Sequence, residues 1–117
     1  MATSVRVLVP DTSHLSAGAL KTLRAALFAA LEAKAAERAE HDARATSLTG
    51  QTDPDSLLER ELAEMGASRA QHAIGEIERA LARMDLGTYG RCETCAAPVA
   101  SERLEAIPHA RYCVACS

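Results

Sequence analysis

The sequence predicts a mainly α fold: an antiparallel two-helix coiled-coil hairpin followed by a small C-terminal finger built on four cysteines. Three observations carry that prediction. Of the 117 residues, 25 are alanine, 48% are apolar and only 3% are aromatic, while 25% are charged. Such a composition favours soluble, closely approaching helices over a thick aromatic core. Two stretches of about 31 residues repeat apolar side chains at alternating three and four spacing. All four cysteines fall in the last quarter, as Cys92, Cys95, Cys113 and Cys116.

Residues 1–12 open with Val5, Val7, Leu8 and Val9 before Pro10, a short strand signal with no evident mate, and are expected to form an N-terminal arm. From about Ser16 to Thr46, Leu20, Leu23, Leu27, Ala30, Lys34 and Glu37/Arg38 define a seam that begins apolar and turns polar. From about Ser56 to Leu86, Ala63, Ala67, Ala70, Ile74, Ile77, Leu81 and Met84 define one that is thin early and thick late. The two gradients match only if the helices run antiparallel. Each helix would span roughly 46 Å at 1.5 Å per residue. The segment from Leu48 to Ser56 supplies the turn: Gly50 suits a left-handed position, Asp53 or Thr52 suits an N-cap, and Pro54 is tolerated in a first helical turn. The expected organisation is therefore an arm at 1–12, a coiled-coil hairpin at 13–86 with its tip near 47–56, and a finger at 87–117.

The tip is acidic. Asp53, Asp55, Glu59, Glu61 and Glu64 face a single base, Arg60, between residues 53 and 64. Part of that charge serves helix capping and the helix dipole. The remainder is suited to a basic or metal-bearing partner.

The cysteines read C-x2-C-x17-C-x2-C. Two such knuckles at this separation supply four thiolates to a tetrahedral zinc ion at about 2.3 Å, which leaves no open position for water or substrate. The predicted cofactor is therefore structural Zn2+, with Cys92, Cys95, Cys113 and Cys116 as its ligands. A finger this small depends on the metal, supported by packing of Val99, Leu104 and Ile107. Four thiolates around one dication take the formal charge from −3 to −5. No segment is a basic footprint, so direct DNA binding is not expected. The apolar run Ala25–Leu31 is far shorter than a membrane span, and no basic and apolar leader opens the sequence, so the expected location is cytoplasmic, with no membrane partner. His14, His41, His72 and His109 lack ligand or catalytic spacing. With no nucleophile constellation either, the chain is expected not to be an enzyme.

The strings Ile77–Met84, Gly87-Thr88-Tyr89-Gly90-Arg91-Cys92-Glu93-Thr94-Cys95, Glu102-Arg103-Leu104-Glu105-Ala106-Ile107-Pro108 and Cys113-Val114-Ala115-Cys116 resemble the DksA/TraR family of C4 zinc-finger transcription regulators. The resemblance covers residues 53–117 in sequence and the preceding helical half in architecture. It implies a cytoplasmic bacterial regulator that binds RNA polymerase directly. In that family a coiled-coil tip enters the polymerase secondary channel and sets acidic residues near the catalytic magnesium. The family tip reads D-x-x-D-x-A, whereas this chain has Asp53-Pro54-Asp55-Ser56-Leu57-Leu58. Asp53 therefore matches the first acid, and Asp55 is the candidate substitute for the second. Ala96 stands where a glycine commonly follows the second cysteine. Positions that in some members hold guanosine tetraphosphate fall on Glu76, Ile107 and Ser117, which are acidic or neutral, so binding of that nucleotide is not expected. Two other functions fit the residues less fully. One is a zinc-closed helical adaptor for another protein. The other is a DNA-binding finger of GATA-like spacing, which would need more bases than Arg103 and Arg111 supply against Glu93, Glu102 and Glu105.

Overall fold

The computed structural model describes residues 14–117. The expected N-terminal arm lies outside them. Three helices follow in order: α1 (Ala17–Ser47), α2 (Pro54–Leu86) and the short α3 (Ser101–Ala106). Among the described residues the only extended pairing is one isolated antiparallel bridge between Arg91 and Pro98.

Local chemistry sets the helix ends. Ser16 caps α1, its Oγ accepting the Ala19 N–H at 2.9 Å. Beyond its last residue, Ser47, a turn ends at Gly50, whose φ of 89° lies in the left-handed region that favours glycine. Asp53 rather than Thr52 caps α2: its Oδ2 accepts the Ser56 N–H at 3.0 Å, and Pro54 takes the first helical position. At the far end Gly87, at φ 77°, closes α2 with paired bonds. The Gly87 N–H donates to Met84 O at 3.2 Å and the Thr88 N–H to Arg83 O at 2.9 Å. That is the Schellman pattern, and it turns the chain sharply into the finger.

Polar pairs fix the antiparallel sense. Arg24 bonds Asp85 at 2.8 Å, Arg38 bonds Gln71 at 2.6 Å and Arg44 bonds Glu59 at 2.7 Å, so partners on α2 fall in number as those on α1 rise. These exposed pairs contribute little stability each, but they mark the register.

The described residues divide into two compact units, one containing Ala29–Glu76 and the other the chain up to Phe28 together with Ile77–Ser117. In the first, Ala63, Ala70 and Ile74 are buried on α2, with His41 and Ala45 of α1 and Leu48 just beyond it half-buried. Small side chains let backbones approach, and Gly66 is the extreme case. A Cβ there would stand 2.6 Å from Cε1 of His41, so the imidazole occupies the space that a larger residue would fill.

The second unit has the larger core: Leu15, Leu23, Leu27, Ile77, Ala80, Tyr89, Val99 and Leu104 are all buried. Its leucines on α1 and isoleucine on α2 are those whose gradients predicted the antiparallel match. Ala80 is buried and Leu81 and Met84 only half-buried, because a helix near 3.6 residues per turn drifts from a strict 3.5-residue seam. Ile107 departs from its expected packing role. It follows the last residue of α3 at φ −133° and ψ 87°, which turns it outward to 40% exposure. Tyr89 fills that core instead, and its hydroxyl donates to Pro108 O at 2.7 Å. Burial pushes the Tyr89 phenol up to about 12, against a smaller downward pull from Arg83. His14, which lacks ligand or catalytic spacing, has Nε2 3.1 Å from Val99 O.

Candidate metal centre and helical bend

The finger begins where α2 ends. After Gly87 the chain turns again at Gly90, φ 83°, where a Cβ would stand 2.9 Å from Leu15 Cδ1 and 3.1 Å from His14 Cε1. The Arg91–Pro98 bridge then brackets the first knuckle, with the Cys92 N–H donating to Ala97 O at 2.8 Å and the Ala96 N–H to Cys92 O at 2.9 Å. Ala96 makes this turn at φ 62°, the left-handed conformation anticipated where glycine is usual. The second knuckle closes similarly, the N–H groups of Cys116 and Ser117 both donating to Cys113 O at 3.0 Å. A bond from the Glu93 N–H to Arg111 O at 2.9 Å ties one knuckle to the other.

These turns bring the sulfurs of Cys92, Cys95, Cys113 and Cys116 within 4.8 Å of one another, with Cys95 and Cys113 3.6 Å apart. Four sulfurs at about 2.3 Å from a central zinc stand about 3.8 Å apart, so the cluster fits the ion. Its electrostatics agree. Hydrogen bonds from the backbone of Cys113, Cys95 and Thr94 lower the Cys92 thiol to about 6, whereas the sulfurs of Cys113, Cys95 and Cys92 push Cys116 up to about 12. Four thiols this close ionise together only around a cation. Zinc supplies a closed structural cross-link, and the chain supplies the two rigid turns that aim the sulfurs.

A second feature, which the cysteine spacing does not reveal, joins α2 to the finger. Arg83 donates to Thr88 O at 3.0 Å and to Arg91 O, and its guanidinium lies 3.4 Å from Glu93. Glu93 also receives Arg111 at 3.0 Å and Arg79 at 3.5 Å. Partial desolvation opposes ionisation of Glu93, but the hydrogen bond and charge of Arg111, with the charges of Arg83 and Arg79, hold its carboxyl below the ordinary glutamate value. The i, i+4 spacing of Arg79 and Arg83 was the available signal, since it puts both on one face of α2.

At the bend, Asp53 and Asp55 are both exposed. Hydrogen bonds from Ser56, side chain first and backbone second, hold the Asp53 carboxyl below its ordinary value. Glu59 is occupied by Arg44 across the hairpin, and Glu64 by Arg60 on its own helix at 3.0 Å. The acidic surplus expected at the tip is thus partly consumed by capping and pairing. The Asp55 side chain makes no hydrogen bond or ion pair to another described residue. Among the described residues no helix is long and apolar enough to cross a membrane.

Comparison with known proteins agrees with this geometry. Residues 87–116 match the prokaryotic dksA/traR C4-type zinc finger. An uncharacterized protein of Aquifex aeolicus is 48% identical over 44 residues, 38% of this chain and 30% of its own length. General stress protein 16O of Bacillus subtilis is 49% identical over 41 residues, 35% of this chain and 25% of its own length. The similarity to these curated relatives therefore spans less than a third of either. The solved structure of transcription factor DksA2 from Pseudomonas aeruginosa superimposes with a TM-score of 0.80 over 92% of this chain and 86% of that one, at 21% identity, which speaks for the fold. Residues 87–116 thus form a zinc finger of the dksA/traR C4 type with a sulfur cluster shaped for zinc, and the chain as a whole shares the fold of DksA2.

Proposed function

We propose that this chain is a cytoplasmic, non-enzymatic regulator of bacterial transcription that binds RNA polymerase directly and inserts the bend of its hairpin into the secondary channel. The observation that carries the reading is the fold shared with the transcription factor DksA2 over 92% of the chain. The working division is an arm at 1–12, a hairpin at 13–86 with its tip near 47–56, and a finger at 87–117. Asp53 and Asp55 are the proposed partner-binding residues. Asp53 stays ionised because Ser56 hydrogen-bonds its carboxylate, and Asp55 is exposed beside it. Two fixed negative charges at a helix start suit a cationic or metal-bearing interior, where they attract or compete without doing chemistry. The cross-hairpin bond from Arg44 to Glu59 marks the pairing of the helices behind the bend.

DNA is not the proposed partner. Arg79, Arg83 and Arg111 converge on Glu93, so these three bases are engaged within the chain rather than set out for phosphates. Nor is guanosine tetraphosphate a proposed ligand, because Glu76, Ile107 and Ser117 offer no cation.

Capture of core polymerase by the zinc-loaded protein, with crosslinks mapped from residues 49–58, tests the reading. Crosslinks to the secondary channel are expected, together with a changed lifetime of promoter complexes. An Asp53→Asn, Asp55→Asn double variant should lose the lifetime effect while retaining the fold, since asparagine also caps helices. Failure to capture polymerase overturns the partner. A double variant that acts like the wild type overturns the tip mechanism.

A further inference from the structure

Helix α2 carries a second apolar row outside the core. Leu58, Leu62 and Met65 follow one another at spacings of four and three with Leu57 alongside, and each is about half exposed. The core row of Ala63, Ala70 and Ile74 lies on a different face of the same helix. The row is flanked by charges of a particular kind. Between Pro54 and His72, Glu59 is bonded to Arg44, and Arg60 and Glu64 bond each other. The side chains of Asp55, Glu61, Arg69 and His72 make no hydrogen bond or ion pair to another described residue. Asp55, Arg69 and His72 continue the four-and-three spacing of the row at its two ends, and Glu61 borders it. The negative groups stand towards the start of the row and the positive Arg69 towards its end.

We propose that this face binds a second copy of the same chain, with two α2 helices pairing antiparallel about a twofold axis between Leu62 and Met65. In that register Leu62 of each copy meets Met65 of the other, and Leu58 packs on the aliphatic stem of the other Arg69. Arg69 of the second copy then falls about 4.5 Å along the axis from both Asp55 and Glu61, and its His72 lies level with Asp55. Every free charge on the face is complemented. Parallel pairing fails the same test, because it sets Asp55, Glu61 and Arg69 each against its own copy.

Four half-exposed apolar side chains make a patch below the roughly 800 Å² per partner of a standard interface, so the dimer is weak and depends on concentration. It also brings Asp55 into the contact. The paired form is therefore a store in which one proposed tip carboxylate is masked, and dilution releases it. The inference rests on the row and its charges, not on the identity of any other partner.

Sedimentation equilibrium of the zinc-loaded full-length chain from about 5 to about 500 µM tests the pairing at low salt. The weight-average mass should rise from 12.4 kDa towards twice that value. Arg69→Glu alone, and Asp55→Arg with Glu61→Arg, should each stay monomeric through like-charge repulsion. Mixed in equal amounts, the two variants restore both sets of complementary pairs, and association at least about tenfold tighter than either alone is expected. A wild type that remains monomeric throughout overturns the proposal, even if another protein is found on the row. So does a mixture that associates no better than its components.

Discussion

Ala96→Gly tests the account of the first knuckle. Ala96 sits at φ 62°, where an L-residue with a Cβ is strained by about 1–2 kcal/mol. Its side chain is exposed, so removing the methyl forfeits no packing. Glycine also gives the unfolded chain more freedom, which offsets about 0.4–1 kcal/mol of the relief. The net gain should be about 0.5–1 kcal/mol in the folded turn. Folding of so small a finger is coupled to metal binding, so this gain appears as zinc affinity, raised about two- to fivefold. Competition against a chromophoric chelator at fixed pH measures it. Ala97→Gly is the control: Ala97 lacks the positive φ and is half-buried, so with no strain to relieve, the lost packing and the freer unfolded chain should both lower affinity. Unchanged or weaker zinc binding by Ala96→Gly would refute the assignment of strain to this turn.

Gly66→Ala gains about 1 kcal/mol of helix propensity, but its Cβ meets the His41 ring at 2.6 Å. The gain should therefore be lost in the wild-type background and recovered in His41→Ala, a coupling that a thermal double-mutant cycle detects; additive effects would contradict the contact. Removing zinc should abolish amide protection at Val99 and Leu104 while most far-ultraviolet helical signal persists, because the finger itself holds only the six-residue α3. Collapse of the whole helical signal would refute that separation. The folded state holds Asp53 below 3.8, so the stabilisation due to its charge is complete above the unfolded value and disappears as pH falls through the lower folded one. Acid titration by circular dichroism should show that difference between wild type and Asp53→Asn, whose cap does not titrate; superimposable curves would count against the cap.

Much of the fold was legible because its signals are local. Seven-residue periodicity fixes which face of a helix turns inward, capping residues fix its ends, and two knuckles fix where four sulfurs meet. What the sequence left unread involves partners chosen across long separations. Nothing near His41 announces Gly66, nothing near Tyr89 announces Pro108 O, and the convergence of Arg79, Arg83 and Arg111 on Glu93 exists only once the finger turns back. Ile107 was misassigned for the same reason: its apolarity was visible, but not the φ/ψ that turns it outward.

Helix α2 shows how far periodicity alone reaches. Its first half satisfies two apolar rows at once, and spacing cannot rank them. The structure buries the smaller one, Ala63, Gly66 and Ala70, and leaves Leu58, Leu62 and Met65 outside. Turning the leucines inward would separate the helices and break the close approach that seats His41 against Gly66. The outer row is therefore not a failed core. Three large apolar side chains held in line on an exposed face gain nothing from the monomer, and single exposed leucines need no explanation whereas an ordered row does. The free charges at both ends make the same point independently, since the other charges of that stretch, Glu59, Arg60 and Glu64, are satisfied inside the chain. What this face of α2 is built for lies outside one copy of the molecule, and its reversal of charge from end to end is the pattern that an inverted duplicate of itself would complete.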